Sequence, residues 1–464
     1  MNIFLKFSFV VLASFTLLFT PDAISQEIEE VVITATKKEE SVQDLALSVE
    51  ALSAEDVESN MIDNLDDLSE VVPGLISSPG IGSGVSYAIR GTGSYGVGAA
   101  VVGAVVTAQN GHSVNTSAFG ELGFFDTARI EVLKGPQGTL FGRNAVNGVI
   151  NVISARPDGE LGGYFDLEMG DTAHQRFTSA VNIPISDSVA TRFAYTSFTR
   201  DGFSENVRTG EKFDDRNAYG FRFSLDWDIS DNTRMQFTTD RYSANDNRNN
   251  IGTTYCQRSQ FFGCNPLAVG NPNVVSAPSG STAGLSNFVA GLVPNAWDNT
   301  YANQIAPGDI DKAYLNRVPV REQGFEMTTL EVIHDMANDL TLNMKYSYAT
   351  RDYFHMNDND YGYSPNPFTG PLGGTLTALS AFNPSLASFS TVSFDTCFYG
   401  GMCETVDSDR TYEFSDVETW DAQGEITLIS NYDGPFNFVV GAYRFDQRNH
   451  NRYLVQTAGL QGMR

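Results

Sequence analysis

Long apolar runs are what this chain lacks. Beyond its amino terminus no stretch of about 18 apolar residues occurs, so helical membrane spans are excluded and any membrane residence has to come from a β-barrel. Positive charge is also scarce. Twenty-nine Lys and Arg against 56 Asp and Glu leave a net charge of −27, which excludes a nucleic-acid partner, because phosphate binding needs a basic face. The five histidines (112, 174, 334, 355 and 450) are scattered and form no ligand motif. A nucleophile elbow, a paired Cys and His, a His-Glu-x-x-His and a Gly-Lys-Ser/Thr phosphate loop are all missing. No catalytic residue, metal or cofactor is therefore expected, and the chain does not read as an enzyme.

What is present begins with an export signal. Phe7–Phe19 is almost uninterrupted apolar sequence behind Lys6, but shorter than the ~20 residues a spanning helix needs. Ala23-Ile24-Ser25 supplies small residues for a signal peptidase, so residues 1–25 read as a cleaved signal peptide. Export to an oxidising compartment makes two short-loop disulfides the natural use of the four cysteines, Cys256 with Cys264 and Cys397 with Cys403. Metal-binding spacings of two to four residues are not met by either pair.

From Leu161 onward the sequence alternates. Tyr219, Phe221, Phe223, Leu225, Trp227 and Ile229 share one strand face, opposite Gly220, Arg222, Ser224, Asp226 and Asp228. Leu340, Leu342, Met344, Tyr346 and Tyr348 oppose Thr341, Asn343, Lys345 and Ser347 in the same way. Nine such strands are expected, near 162–169, 175–184, 189–200, 216–229, 233–244, 323–336, 339–354, 416–430 and 436–449. Their length, the tight turns at 229–232 and 431–435, and the long connections near 245–321 and 356–414 favour a transmembrane barrel over a soluble sandwich. Nine is an odd number, and a barrel that encloses a globular segment needs about 22 strands. The expectation is that the chain is the front portion of a longer protein or a truncated gene product.

Between signal and barrel, residues 44–160 read as a compact mixed α/β unit. Ser53 is placed to cap a helix over 54–59, and Asn64 one over 65–71, with Leu65, Leu68 and Val72 facing a core. The most telling stretch is 129–157, where two β-rich runs flank glycines at 135, 138, 142 and 148. That density of glycine describes a sharply turned, tightly packed loop. This stretch resembles the end of the plug domain of TonB-dependent outer-membrane receptors, through Arg129, Glu131, Lys134, Gly135, Pro136, Gly138, Gly142, Arg143, Asn144 and Gly148. Ile89-Arg90-Gly91 and Asp66–Gly74 are similar to other plug motifs. Val105–Gly111 departs from the familiar hairpin wording, which leaves the geometry of that hairpin open. Glu30, Val31, Val32, Ile33, Thr34 and Ala35 resemble the family's TonB box; Val31–Thr36 is β-branched at every position but Ala35, suiting it to strand addition.

The resemblance implies a small α/β plug followed by an antiparallel transmembrane barrel: residues 1–25 signal, 26–43 box and linker, 44–160 plug, 161–464 partial barrel with long outer loops. It implies residence in the outer membrane of a Gram-negative bacterium, with its lipid around the barrel. It further implies active uptake of a ferric siderophore or similar chelate, cobalamin or oligosaccharide, driven by TonB with its ExbB/ExbD motor. A passive porin and a surface ligand-binding β-protein are the rival readings. Arg90, Arg129, Lys134 and Arg143 are the expected plug cations, with Asp226 or Glu425 on the barrel wall as partners. The stretch Tyr353–Tyr361 mixes aromatics with acids and reads as an outer loop; its composition suits stacking on a sugar or catecholate or binding a cation, but a plain solvated loop is the favoured reading.

Overall fold

The computed structural model describes residues 47–79, 85–93, 103–114, 123–248, 311–358, 394–406 and 410–457, and the backbone of 32–33, 40–41, 258–259 and 263–264. Met1–Ala46 and Leu47–Arg464 are separate compact units. In the first, β1 (Val32–Ile33) pairs antiparallel with β2 (Glu40–Ser41). The signal segment and Glu30, Val31, Thr34 and Ala35 lie outside the described residues.

The second unit opens with β3 (Val49–Ser53) and α1 (Ala54–Ser59). Ser53 and Asp56 form a reciprocal capping box: the Asp56 amide donates to Ser53 Oγ (3.1 Å) and the Ser53 amide to Asp56 Oδ2 (2.9 Å). The second helix is shorter than expected. α2 spans only Leu68–Val71, and Asn64 does not cap it. Asp67 instead turns its carboxylate back to accept the Asp63 and Asn64 amides (2.9 and 3.1 Å), which closes the preceding residues into turns. Leu65, Leu68 and Val72 are nevertheless buried. β4 (Leu75–Pro79), β5 (Val85–Ile89) and β6 (Thr92–Gly93) make a three-stranded sheet.

β7 (Val105–Gln109) and β8 (His112–Ser113) form a hairpin across Asn110 and Gly111, both at positive φ. The unusual wording there keeps the hairpin. β9 (Thr127–Lys134), α3 (Gly138–Phe141, one turn) and β10 (Gly148–Ser154) follow. They complete a five-stranded sheet, β3-β9-β10-β7-β8, in which only β10 and β7 run parallel. Gly148 has no alternative residue: at φ 156° a Cβ would stand 2.3 Å from the Leu133 carbonyl oxygen.

The chain then enters β11 (Gly162–Met169), β12 (Gln175–Ser186) and β13 (Val189–Arg200). Short β14 (Ser204–Asn206) and β15 (Lys212–Phe213) precede β16 (Arg216–Ser230) and β17 (Thr233–Asp246). β18 (Arg258–Ser259), β19 (Gly263–Cys264) and β20 (Lys312–Ala313) lead to β21 (Val320–Met336) and β22 (Leu340–Asp358). The hairpin of β23 (Phe394–Phe398) and β24 (Met402–Val406), closed by the Cys397–Cys403 disulfide, precedes β25 (Thr411–Ser430) and β26 (Val439–Thr457). Cys256 and the side chain of Cys264 lie outside the described residues.

Nine of these strands make one antiparallel wall in which each pairs with the next: β11-β12-β13-β16-β17-β21-β22-β25-β26. The wall is open, with β11 and β26 at its edges. The last strand starts later than the sequence suggests, because Asn437 holds a turn: its Oδ1 accepts the Tyr432 amide (2.8 Å) and its amide donates to Tyr432 O (3.0 Å).

The wall is inverted relative to a soluble sheet. Phe165, Tyr346 and Ile426 are 78, 51 and 54 % exposed on one face, while Ser224, Thr238 and Ser347 on the other are 1 % exposed. An apolar outer face and a polar inner face are what lipid outside and packed polar groups inside demand; a water-soluble sandwich would bury the aromatics. The inner face carries the plug. Phe325 and Met327 of β21 and Ala349 of β22 join the hydrophobic cluster built from Leu65, Leu68, Ile89, Ile130 and Ile150.

Candidate functional site

The seam between plug and wall centres on Phe125 and Asp126, just before β9. Arg192 of β13 grips the Asp126 carboxylate with both arms of its fork: Nε donates to Oδ2 (2.8 Å) and Nη2 to Oδ1. Its remaining nitrogen donates to Asn182 Oδ1 (2.8 Å), and Tyr164 of β11 donates its hydroxyl to Asp126 Oδ1 (3.3 Å). The pair is buried, the Asp126 side chain being 2 % and the Arg192 side chain 11 % exposed. Arg222 of β16 donates to the Phe125 and Asp126 carbonyls (3.1 and 3.2 Å) and pairs with Asp240 on β17. Its guanidinium sits 4.6 Å from the Phe125 ring centroid. Gly220 makes room for that ring, since a Cβ there would meet Phe125 at 2.9 Å. Charge-assisted, bidentate contacts of this kind are the strong ones.

A second stake holds the outgoing strand at the same, open end of the β9–β10 hairpin. Arg156, two residues past β10, pairs with Asp226 on β16 and donates to Thr238 Oγ1 on β17 (3.1 Å). Asp63 meets Arg176 of β12 at a more exposed position. Gln423 of β25 donates to the Ser113 carbonyl at the end of β8.

These contacts correct the expected cation partners. Arg129 pairs with Glu131 (2.8 Å) inside the plug, where Asn151 also donates to Glu131 (3.1 Å). Lys134 pairs with Glu50 of β3 (2.7 Å). Lys134 reaches Glu50 because β9 pairs with β3, while Arg129 reaches two residues along its own strand. Asp226 is taken by Arg156, which the sequence reading passed over. Glu425 accepts from its own strand's Thr427 (2.9 Å). Arg90 is exposed in a turn, at φ 54°, beside Gly91. Arg143 does reach the wall, but through an amide and a ring: it donates to Gln447 Oε1 (2.9 Å) and lies 4.4 Å from the Phe445 ring centroid on β26. Gly142 lets Tyr443 approach; its Cβ would stand 3.2 Å from that ring. Gly135, Pro136, Gly138 and Asn144 form the turned segment around α3. In the principal clamp the polarity is reversed from expectation, with a wall arginine holding a plug carboxylate. Arg192 and Arg222 lie among Ala194, Thr196, Gly220 and Ser224 on the polar face of the alternation, and those small neighbours were the readable signal.

The expected outer loop is corrected as well. Residues 353–358 continue β22, and Tyr353, His355, Met356, Asn357 and Asp358 are all buried; 359–361 lie outside the described residues. Inside the plug, Asp66 is half-buried. Burial, reinforced by neighbouring Asp67 and opposed by Ser77, lifts its carboxyl from 3.8 to about 6.

Comparison with known proteins adds to this geometry. Residues 41–149 match the family profile described as TonB-dependent Receptor Plug Domain. An "Iron-regulated outer membrane virulence protein" of Vibrio cholerae serotype O1 is 26 % identical over 264 residues, 53 % of this chain and 39 % of the relative. A "Vitamin B12 transporter BtuB" of Vibrio vulnificus is 33 % identical over 153 residues, 32 % of this chain and 24 % of the relative. The chain thus spans well under two thirds of the length of these relatives. Among solved structures, the siderophore receptor PiuA of Acinetobacter baumannii superposes with a TM-score of 0.56 at 17 % identity, over 89 % of this chain and 47 % of that one. The ferripyoverdine receptor of Pseudomonas aeruginosa gives 0.55 at 13 %, over 91 % and 45 %. These two likenesses concern the fold.

Proposed function

We propose that this chain, a TonB-dependent outer-membrane receptor of a Gram-negative bacterium by its plug domain and its wall, takes part in energised uptake of a scarce chelated ligand. In this reading residues 1–25 are the export signal, 26–43 the box and linker, 44–160 the plug and 161–464 the wall. The observation that carries it is the continuity of the plug core onto the inner face of a wall whose outer face is apolar. A passive pore has no use for a stopper staked to its wall through both strands of its central hairpin.

Ligand binds above the plug. The box segment Glu30–Ala35 adds as a strand to the sheet edge of TonB, which the ExbB/ExbD motor pulls. Force on the amino terminus first reaches β3, which lies at the edge of the plug sheet and peels without breaking any other pairing. The partly exposed Asp63–Arg176 contact exchanges for water at little cost. The buried Asp126–Arg192 clamp resists, because separating it strands a charge. The role is binding and transport, not catalysis. The names of the relatives point to iron chelates and vitamin B12 as the ligand classes to try first.

Deletion of Ile28–Thr36 tests the proposal. Expected are unchanged ligand binding at the cell surface and loss of accumulation. Accumulation that survives the deletion supports a passive channel instead, and binding without accumulation in the parent chain supports a surface adhesin.

A further inference from the structure

The box segment carries a strand partner of its own. In the first compact unit, Met1–Ala46, Val32 lies opposite Ser41 and Ile33 opposite Glu40 in an antiparallel ladder. Among the described residues this sheet has two strands only: β1 pairs with β2 and with no third. β1 falls within the sequence of the box, Glu30–Ala35, and β2 within that of the linker. The chain that joins them is short, residues 34–39, so the partner is always at hand.

Successive residues of an antiparallel pair turn their N–H and C=O groups to opposite edges. Of Val32 and Ile33, one therefore directs its backbone groups at β2 and the other directs them along the far edge of β1. An edge of that kind is where another chain adds as a strand. Glu40 and Ser41 thus hold Val32 and Ile33 extended and leave the far edge to a newcomer. Extension in advance matters. Ordering one residue's backbone costs about a fivefold to thirtyfold loss of affinity, and strand addition to a free tail incurs that loss at every residue joined. A lone two-stranded hairpin is only marginally stable in water, so β2 supplies part of the order and a third strand completes it.

We propose that Glu40–Ser41 is a template, within the same chain, for the TonB box: it presents Val32–Ile33 as a preformed strand, and TonB adds to the opposite edge, giving the order β2, box, TonB. The inference rests on the receptor reading above and specifies how its partner docks. The linker is then a binding element as well as a tether. In the contrary arrangement TonB has to displace β2 to reach the box. The two differ in sign, because fixing the ladder helps binding in the first and blocks it in the second.

The test uses the full chain in lipid nanodiscs, with the carboxy-terminal domain of TonB as the probe and affinity read by biolayer interferometry. Val32→Cys with Ser41→Cys places thiols at directly opposed positions, and mild oxidation locks the ladder. Oxidised and reduced forms of this variant share every side-chain change, so their ratio isolates the ladder. The parent chain, oxidised and reduced, controls for the Cys397–Cys403 disulfide. The locked form is expected to bind TonB about fivefold to thirtyfold more tightly than the reduced form, the worth of one residue ordered in advance. Glu40→Gly with Ser41→Gly leaves 28–36 intact and weakens β2; it is expected to bind at least about threefold more weakly than the parent. A locked form that binds less tightly than the reduced one shows that β2 masks the box, and overturns the template. So does a lock that fails to form in a chain that binds TonB, or a locked form and a Gly variant that both stay within about twofold of their controls. In each of those cases, loss of TonB binding on deletion of Ile28–Thr36 leaves the receptor reading standing. A parent chain that binds no TonB, with accumulation indifferent to that deletion, sinks the receptor reading and this inference with it.

Discussion

Replacing Arg192 by Met strands the Asp126 carboxylate. That side chain is 2 % exposed and would keep only the Tyr164 hydroxyl, at 3.3 Å. Removing one member of a buried pair costs about 3–5 kcal/mol, while Met fills much of the volume and suits a strand. One pKa unit or one decade is about 1.4 kcal/mol, so opening of the neighbouring β9 should become between about a hundredfold and a few thousandfold more frequent. Hydrogen exchange of the Ile130–Leu133 amides in nanodiscs reads this directly. The second substitution, Asp126→Asn, tolerates the positive φ of 52° at that position and removes the stranded charge. The double variant should recover at least half the lost protection. The control is Arg176→Met, which leaves a half-exposed Asp63 (50 %) and should cost less than about 1 kcal/mol, under about fivefold. The clamp argument fails if Arg192→Met changes exchange by less than about fivefold, or if adding Asp126→Asn brings no recovery.

Two further outcomes follow from the plug. Gly148→Ala places a Cβ 2.3 Å from a backbone oxygen at φ 156°, so the β9–β10 hairpin should fail to form and limited proteolysis should degrade residues 47–160 while the wall persists. Asp66 gives a pH dependence. Its folded value of about 6 lies above the ordinary 3.8, so its contribution to stability is full below pH 4 and is lost as pH rises through 6. Asp66→Asn should therefore stabilise the plug against urea above pH 6, by about 1–2 kcal/mol once partial exposure is discounted, and make no difference below pH 4.

The strands of the wall were legible because lipid on one side and packed polar groups on the other enforce a two-residue period over long stretches. Tyr219–Ile229 and Leu340–Tyr348 show it without interruption. The plug turns were legible through glycine, most clearly at Gly148. Helix 65–71 was overestimated because an Asp carboxylate three residues on can accept amides as well as lie inside a helix, and Asp67 does the former. The ion pairs were not legible. Asp126 and Arg192 are 66 residues apart, and Arg156 and Asp226 are 70; which plug residue meets which wall strand depends on how the two are docked, and no local pattern encodes it. Residues 353–358 were read as loop because polar and aromatic composition at a strand's end resembles one.

The central claim is that the plug sits against the inner face of the wall, and cysteine cross-linking in intact outer membranes tests it most directly. Ser113 ends the second strand of a plug hairpin, and Gln423, which donates to its carbonyl, faces inward on β25. Trp420, three residues away on the same strand, faces outward. A short bifunctional thiol reagent should join Ser113→Cys to Gln423→Cys nearly to completion and leave Ser113→Cys with Trp420→Cys unjoined. Equal reaction of both pairs, or reaction of neither in folded protein, would contradict a plug held within the wall.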